Sequence, residues 1–211
     1  MDSQDPHQIV NPASARYTDR GSRFLSHAHP VTCDVNIEEL LSKIAKKYPD
    51  ATHLCYAWRM DPDRNREFFQ DDGEPSGTAG LPILGVLRTH SLFQTLLTVT
   101  RYYGGTKLGR PGLINAYREA ARMAIDNSVR IPLQLCRIVR VEYPYKLEND
   151  LRELITRFHI TIHEESYLEK VRLKLSCRNE MEPVFCSLLQ QLKHKGLDYE
   201  KLDTQYLPKK K

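Results

Sequence analysis

The sequence predicts an α+β chain in two parts, and three observations predict it. Apolar spacing switches between period two and period 3.6 several times along the 211 residues. The second half orders its segments as strand, helix, strand, strand, helix, strand. Between the halves, at Ser128–Gln134 around Pro132, the rhythm breaks, which divides the chain into residues 1–131 and 132–211.

Composition narrows the class. Hydrophobic residues are 40% and charged residues 27%, close to the soluble globular average, so a disordered or fibrous chain is excluded. The uncharged run Thr89 to Thr100 is too short and too polar to span a bilayer. The N-terminus, Met1-Asp2-Ser3-Gln4-Asp5, is acidic and lacks a secretory pattern, so a cytoplasmic protein without membrane contact is expected. Five cysteines, Cys33, Cys55, Cys136, Cys177 and Cys186, are widely spaced with no Cys-x-x-Cys. Free thiols in a reducing compartment are expected, not a disulfide framework or a zinc ribbon. A net charge of +4 is too weak to argue nucleic-acid binding by itself.

In the first part, residues 1–13 are polar and read as loose. Residues 22–32 partly alternate and read as a strand. Residues 36–48 read as a helix capped by Asn36, with Ile37, Leu40, Leu41, Ile44 and Tyr48 on one face and Pro49 ending it. Residues 51–58 read as a strand, 59–80 as a long loop, 81–88 as a short helix and 92–103 as the strongest strand. A loop through Gly109-Arg110-Pro111 leads into a helix from Gly112 to about Asn127, its apolar face carrying Leu113, Ile114, Tyr117, Ala120, Ala121, Ala124 and Ile125. In the second part, strands over 135–145, 160–164, 168–176 and 199–207 and helices over 147–158 and 180–192 give the ferredoxin-like β-α-β-β-α-β order.

Two stretches carry chemical information. Gln70-Asp71-Asp72-Gly73-Glu74-Pro75-Ser76-Gly77-Thr78-Ala79-Gly80 combines carboxylates, hydroxyls and glycines. Such a loop suits a hard cation, or an anion on its backbone N–H groups, or a tight turn whose Asp side chains bond their own backbone. It matches neither an EF-hand nor a P-loop, and no metal or cofactor is assigned to it. The second stretch runs from Thr98 through Arg101, Tyr102, Tyr103, Gly104, Gly105, Lys107 and Arg110, with Arg118 and Arg122 following on the polar helix face. Adjacent tyrosines on a strand point to opposite faces, so at most one is free for stacking. Aromatic and cationic groups beside a glycine turn suit a nucleic-acid backbone and its bases; a capped edge strand with solvated charges is the alternative.

Weaker candidates are pairs on shared strand faces. His53 and Cys55 read as packing more readily than as a thiolate–imidazole pair. His27 and His29 would need further ligands to hold a metal, and Trp58 reads as core or domain-interface packing.

At the two stretches the chain resembles the IMPACT/YigZ family. The residues that carry the likeness are Asp71 to Gly80, then Thr100-Arg101-Tyr102-Tyr103-Gly104-Gly105 and Lys107-Leu108-Gly109, with Thr52-His53, Cys55-Tyr56-Ala57 and Ser22-Arg23-Phe24. Together they cover residues 22–122. The resemblance implies an N-terminal β-α-β domain like the second domain of a small-subunit ribosomal protein. It also implies a C-terminal ferredoxin-like domain similar to those of elongation factor G. Eukaryotic members act in translational control by competing for an activator of a stress-response kinase, and carry an additional N-terminal partner-binding domain. The motif region here begins at Ser22, so that domain is expected to be absent and the kinase-linked role is not carried over. The chain departs from the family pattern at Asn115, where an Arg is usual, at Arg110, which is new, and at Leu54, where Asn is usual.

Three functions are therefore open. The first is an RNA- or ribosome-binding protein of translation, with Arg101, Lys107, Arg110 and Arg122 on phosphates and Tyr102 or Tyr103 stacking. The second is a metal-assisted hydrolase or transferase acting on a small anionic substrate, with Asp71, Asp72 and Glu74 opposed by Arg101 and Lys107. The third is a protein–protein adaptor in translational control, in which the motifs only fold the domain. Expected partners are RNA, the ribosome or translation factors; the sequence sets no oligomeric state.

Overall fold

The β-branched and aromatic runs of the chain become strands, and the 3.6-period segments become helices. The computed structural model describes residues 5–32 and 34–209. The strands are β1 (His7–Ile9), β2 (Ala13–Asp19), β3 (Ser22–Pro30), β4 (His53–Arg59), β5 (Glu67–Gln70), β6 (Thr95–Tyr102), β7 (Arg130–Tyr143), β8 (Thr161–Tyr167), β9 (Val171–Arg178) and β10 (Asp198–Pro208). The helices are α1 (Asp34–Lys47), α2 (Gly80–Thr89), α3 (Gly109–Asp126), α4 (Glu148–Arg157) and α5 (Glu182–Leu192). The chain divides into one unit that runs up to Leu133 and takes in the chain end from Pro208, and a second unit, Gln134–Leu207.

In the first unit the sheet order is β2-β3-β6-β4-β5. Both β3 and β4 run antiparallel to β6, so they are parallel to each other. Their connection through α1 makes a split β-α-β with β6 inserted at its centre. Alternation assigns the two faces. Phe24, Ala28, Cys55, Ala57, Leu97 and Val99 point one way, onto Ile83, Leu84 and Leu87 of α2 and onto Ala116, Tyr117, Ala120, Ala121 and Ala124 of α3. The alanine row of α3 places no bulk between helix and sheet. Tyr56, Trp58 and Leu96 point the other way, onto Ile37, Leu40 and Leu41 of α1. With both faces covered, β6 is buried from Thr95 to Arg101. Each fully buried Leu or Val there contributes about 1.5–3 kcal/mol.

The second unit runs β7-α4-β8-β9-α5-β10, the order expected of it, with β10, β7, β9 and β8 as successive neighbours in the sheet. Here too a helix joins two parallel strands, β7 and β8, about an antiparallel third, β9. Val139, Val141, Leu173 and Leu175 pack with Leu151, Ile155, Phe185 and Leu189. The residues alternating with them carry a ladder of ion pairs: Arg140 with Glu200 at 2.7 Å, Lys174 with Glu164 at 2.7 Å, and Arg172 with Glu142 at 2.6 Å.

Several segments differ from the sequence reading. Residues 7–9 are not loose: β1 pairs antiparallel with Arg130–Pro132, and β2 already begins at Ala13. The long loop after Arg59 is interrupted by β5, an edge strand paired to β4. Asn36 lies inside α1, which starts at Asp34; the residue before it, Cys33, lies outside the described residues. Arg110 and Pro111 belong to the first turn of α3 instead of a loop, where a proline's fixed φ and missing N–H cost nothing. Trp58 packs within the first unit, stacked on Phe68 with ring centroids 6.0 Å apart.

Candidate functional site

Register brings the two motif stretches together. Arg101 of β6 stands opposite Phe24 of β3 and His53 of β4. Alternation turns its side chain to the α3 face, under Phe24 and Tyr117, rather than to solvent. There its Nη1 donates to Glu74 Oε1 at 2.5 Å, and the Tyr117 hydroxyl donates to the same oxygen at 2.7 Å. Arg101 is 5% exposed and Glu74 8%. The Arg101 Nη2 reaches Ser22 Oγ at 3.4 Å, while its Nε is buried without a partner. The guanidinium also lies 5.6 Å from the Phe24 ring centroid and 5.5 Å from that of Tyr103.

The acidic loop is held by its own backbone and by β4. Asp71 Oδ2 accepts the Gly77 N–H at 2.8 Å, and its Oδ1 accepts the N–H groups of Ala79 at 3.0 Å and Gly80 at 2.8 Å. These are donors that the start of α2 leaves free, and a carboxylate there also meets the positive end of the helix. Asp72 Oδ2 accepts the Leu54 N–H at 2.6 Å, and the Asp72 carbonyl accepts from His53 Nδ1 at 2.7 Å. A carbonyl can only accept, so Nδ1 carries a proton, and Nε2 lies 3.9 Å from Glu74 Oε1. Thr78 Oγ1 donates to the Pro75 carbonyl at 2.6 Å. Among the described residues no group of three or more His, Cys, Asp or Glu is placed to hold a metal ion.

Cys55 and His53 do not face each other. The Cys55 thiol lies 3.0 Å from the Asp71 carbonyl and 3.4 Å from the Tyr117 hydroxyl, while the His53 ring turns to Asp72. Burial pushes the Cys55 thiol well above its ordinary range, with Glu74 and Asp72 adding to the rise. Burial also pushes the Tyr117 hydroxyl far up, reinforced by Cys55 and Glu74. Both groups stay protonated at neutral pH, and neither is an activated nucleophile. His27 and His29 lie on the α1 face, where His27 Nε2 bonds the Tyr48 hydroxyl at 2.9 Å and its ring stacks on Tyr48.

The rim around this buried centre is solvent-exposed. Tyr103, Gly104, Gly105, Lys107, Arg110, Arg118 and Arg122 are exposed, as are Asp72, Gly73 and Ser76; Gly77 is half-buried and Thr78 fully buried. Arg110 Nη2 donates to the Ser76 carbonyl at 3.0 Å, a second tie between the stretches. Arg122 is engaged with Glu119 and Asp126 on its own helix. Tyr102 sits on the opposite face from Tyr103, with the Arg23 guanidinium 4.9 Å from its ring centroid. Asn115 is exposed on α3 and holds no contact at the centre.

The sequence gives no role to three members of this centre. Ser22 accepts the Gly104 N–H at 3.2 Å, Thr52 Oγ1 accepts the Tyr103 N–H at 3.0 Å, and the Tyr117 hydroxyl serves Glu74. Only the Tyr117 ring was foreseeable, from its place on the apolar face of α3.

Comparison with known proteins follows the same division. Residues 20–125 match the Impact N-terminal domain, and residues 141–192 match a domain of unknown function (DUF1949). The chain is 33% identical over 192 residues to the IMPACT family member YvyE of Bacillus subtilis (strain 168), covering 89% of this chain and 87% of that protein. It is 40% identical over 87 residues to the IMPACT family member YigZ of Escherichia coli (strain K12), covering 40% and 43%. Against Protein IMPACT of Homo sapiens it is 37% identical over 97 residues, covering 44% of this chain and 30% of that one. A crystal structure described as that of a hypothetical protein superposes with a TM-score of 0.69 over 94% of this chain and 98% of the other, at 24% identity, a likeness of fold. With its Impact domain and a match to YvyE along most of both chains, this chain belongs to the IMPACT family.

Proposed function

We propose that the protein binds RNA, free or within the ribosome, through the exposed rim of the motif pair and takes part in translation. One observation carries the reading. The carboxylates of Asp71 and Glu74 spend their charge inward, on backbone N–H groups and on Arg101. What faces solvent near by is Tyr103, the Gly104–Gly105 backbone, Lys107, and Arg110 and Arg118 two turns apart on α3. Lys107 and Arg118 have no carboxylate partner among the described residues. A cationic strip beside an open ring and bare backbone suits phosphates and a stacked base. The β-α-β-β-α-β second unit, with its ferredoxin-like order, and the family's likeness to translation factors support the same reading.

The same geometry disfavours the metal-assisted hydrolase. Three N–H bonds hold the Asp71 carboxylate to its own loop, and Glu74 is buried against a guanidinium, so neither is presented openly to a metal or a water. The inner half of the motifs acts as a fastening, which the adaptor reading shares.

The test is fluorescence anisotropy with a labelled single-stranded RNA across about 50 to 200 mM salt. Three phosphate contacts predict a log–log slope of about −2, reduced by about 0.7 for each of Lys107→Glu and Arg118→Glu. Affinity that is absent, or flat across that range, removes the proposal.

A further inference from the structure

The sheet face left open beyond α1 carries a second cluster of arginines. In the β2–β3 hairpin Arg16 stands opposite Leu25 and Thr18 opposite Arg23, and Arg23 stands opposite Tyr102 of β6. Partners in register share a face, so Arg16, Arg23 and Tyr102 point the same way, while Tyr17, Phe24 and Arg101 point into the α3 side. Arg16, Arg20 and Arg23 are exposed, and none has a carboxylate partner among the described residues. Asp19, the acid nearest in the hairpin, alternates to the other face. The ion-paired ladder of the second unit is the contrast: its cations are already neutralised by Glu142, Glu164 and Glu200.

The hairpin turn breaks a local rule at the same place. Its two central residues, Arg20 and Gly21, have φ of +44° and +79°. Such a turn favours Asn-Gly, because a long side chain at positive φ crowds its own backbone. An arginine held there against that preference is what a functional position looks like. The turn also touches the rim. A Cβ added at Gly104 would meet the Gly21 carbonyl carbon at 1.9 Å, so the Gly104–Gly105 loop and the Arg20–Gly21 turn run backbone against backbone.

We infer that this face is a stacking platform for a single-stranded nucleic acid, continuous with the rim. Arg16 and Arg20 take phosphates, and the Arg23–Tyr102 stack takes a base. The inference rests on the RNA-binding reading and narrows it: a duplex keeps its bases paired and cannot offer one to the stack, whereas a single strand can. The strand would run from Lys107 past Gly104 and the hairpin turn onto the sheet.

The experiment compares a labelled oligouridylate with an RNA duplex of equal length, using anisotropy and thermal melts. Tyr102→Leu is expected to weaken single-strand binding about five- to hundredfold and leave duplex binding unchanged; Tyr102→Phe restores it. Arg20→Asn relieves the turn, so its Tm is expected to rise by about 2–5 °C while single-strand affinity falls and the salt slope shrinks by about 0.7. A merely structural arginine would give the first change without the second. If Tyr102→Leu and Arg20→Asn bind as the wild type while Lys107→Glu abolishes binding, the platform is overturned and the rim stands. Equal losses on single strand and duplex also overturn it. If the wild-type chain binds neither RNA, both readings fall together.

Discussion

Arg101 Nη1 lies 2.5 Å from Glu74 Oε1, with 6% and 3% of the two side chains exposed. This pair fastens the central strand of the first unit to the loop before α2, and Tyr117 adds α3 to the same oxygen. A pair so deep is costly to break from one side, because the remaining charge is left buried and unpaired.

Removing either partner is therefore expected to destabilise the fold. Arg101→Leu and Glu74→Gln should each cost about 3–5 kcal/mol in urea unfolding, and the Glu74→Met/Arg101→Leu double variant should cost less than the sum. Single losses under about 1 kcal/mol would show that the pair does not hold the loop.

Asp71 is expected to act through the start of α2. Asp71→Ala strands three N–H donors and should cost about 2–3 kcal/mol; Asp71→Asn keeps part of the bonding and should cost about 1 kcal/mol. The urea midpoint reads both. A neutral Asp71→Ala would mean that the Gly77–Gly80 backbone finds other partners.

The pH profile has a sign fixed by His27. Burial, then Lys47 and His29, push His27 down from 6.5 to about 4, and burial also lowers His29. Between those values the unfolded chain binds a proton that the folded chain refuses. Stability is thus fully present above about pH 6.5 and falls as pH drops toward about 4, by about 2–3 kcal/mol from His27. Chemical denaturation at stepped pH should show this decline, and His27→Gln should flatten it. An unchanged slope in that variant counts against the burial account.

Gly104→Ala should be among the worst single-methyl changes in the chain. Its Cβ would fall 1.9 Å from the Gly21 carbonyl carbon and 2.2 Å from the Ser22 nitrogen, both backbone atoms that cannot swing aside. The hairpin and the loop must part, and the Ser22 bond to the Gly104 N–H goes with them. A Tm lower by several degrees is expected; a melt like the wild type would mean that the loop is free to move.

Legibility in the sequence followed the range of the interactions. The long periodic helices showed their period locally and β6 its β-branched and aromatic composition, from which the opposite facing of Tyr102 and Tyr103 follows. β1 did not, since three residues carry no period and their partners, Arg130–Pro132, lie more than a hundred positions away. β5 hid because Glu67-Phe68-Phe69-Gln70 is too short to alternate and leaves both aromatics exposed at the edge. The motifs announced that Asp71, Glu74 and Arg101 matter. Their direction waited on register: the same Arg101 is a phosphate ligand on one face of β6 and an internal fastening on the other. Ser22 and Thr52 stood in the family likeness without a role, because a hydroxyl that receives a backbone N–H has no signature in its neighbours.

Cys55 makes the integrity of this centre directly observable. Its thiol touches the Asp71 carbonyl and the Tyr117 hydroxyl and is fully buried. An alkylating reagent reaches the sulfur only during moments when strand and loop separate, so the pace of labelling at Cys55 clocks how often the first unit breathes. The wild-type chain thus carries its own reporter of opening.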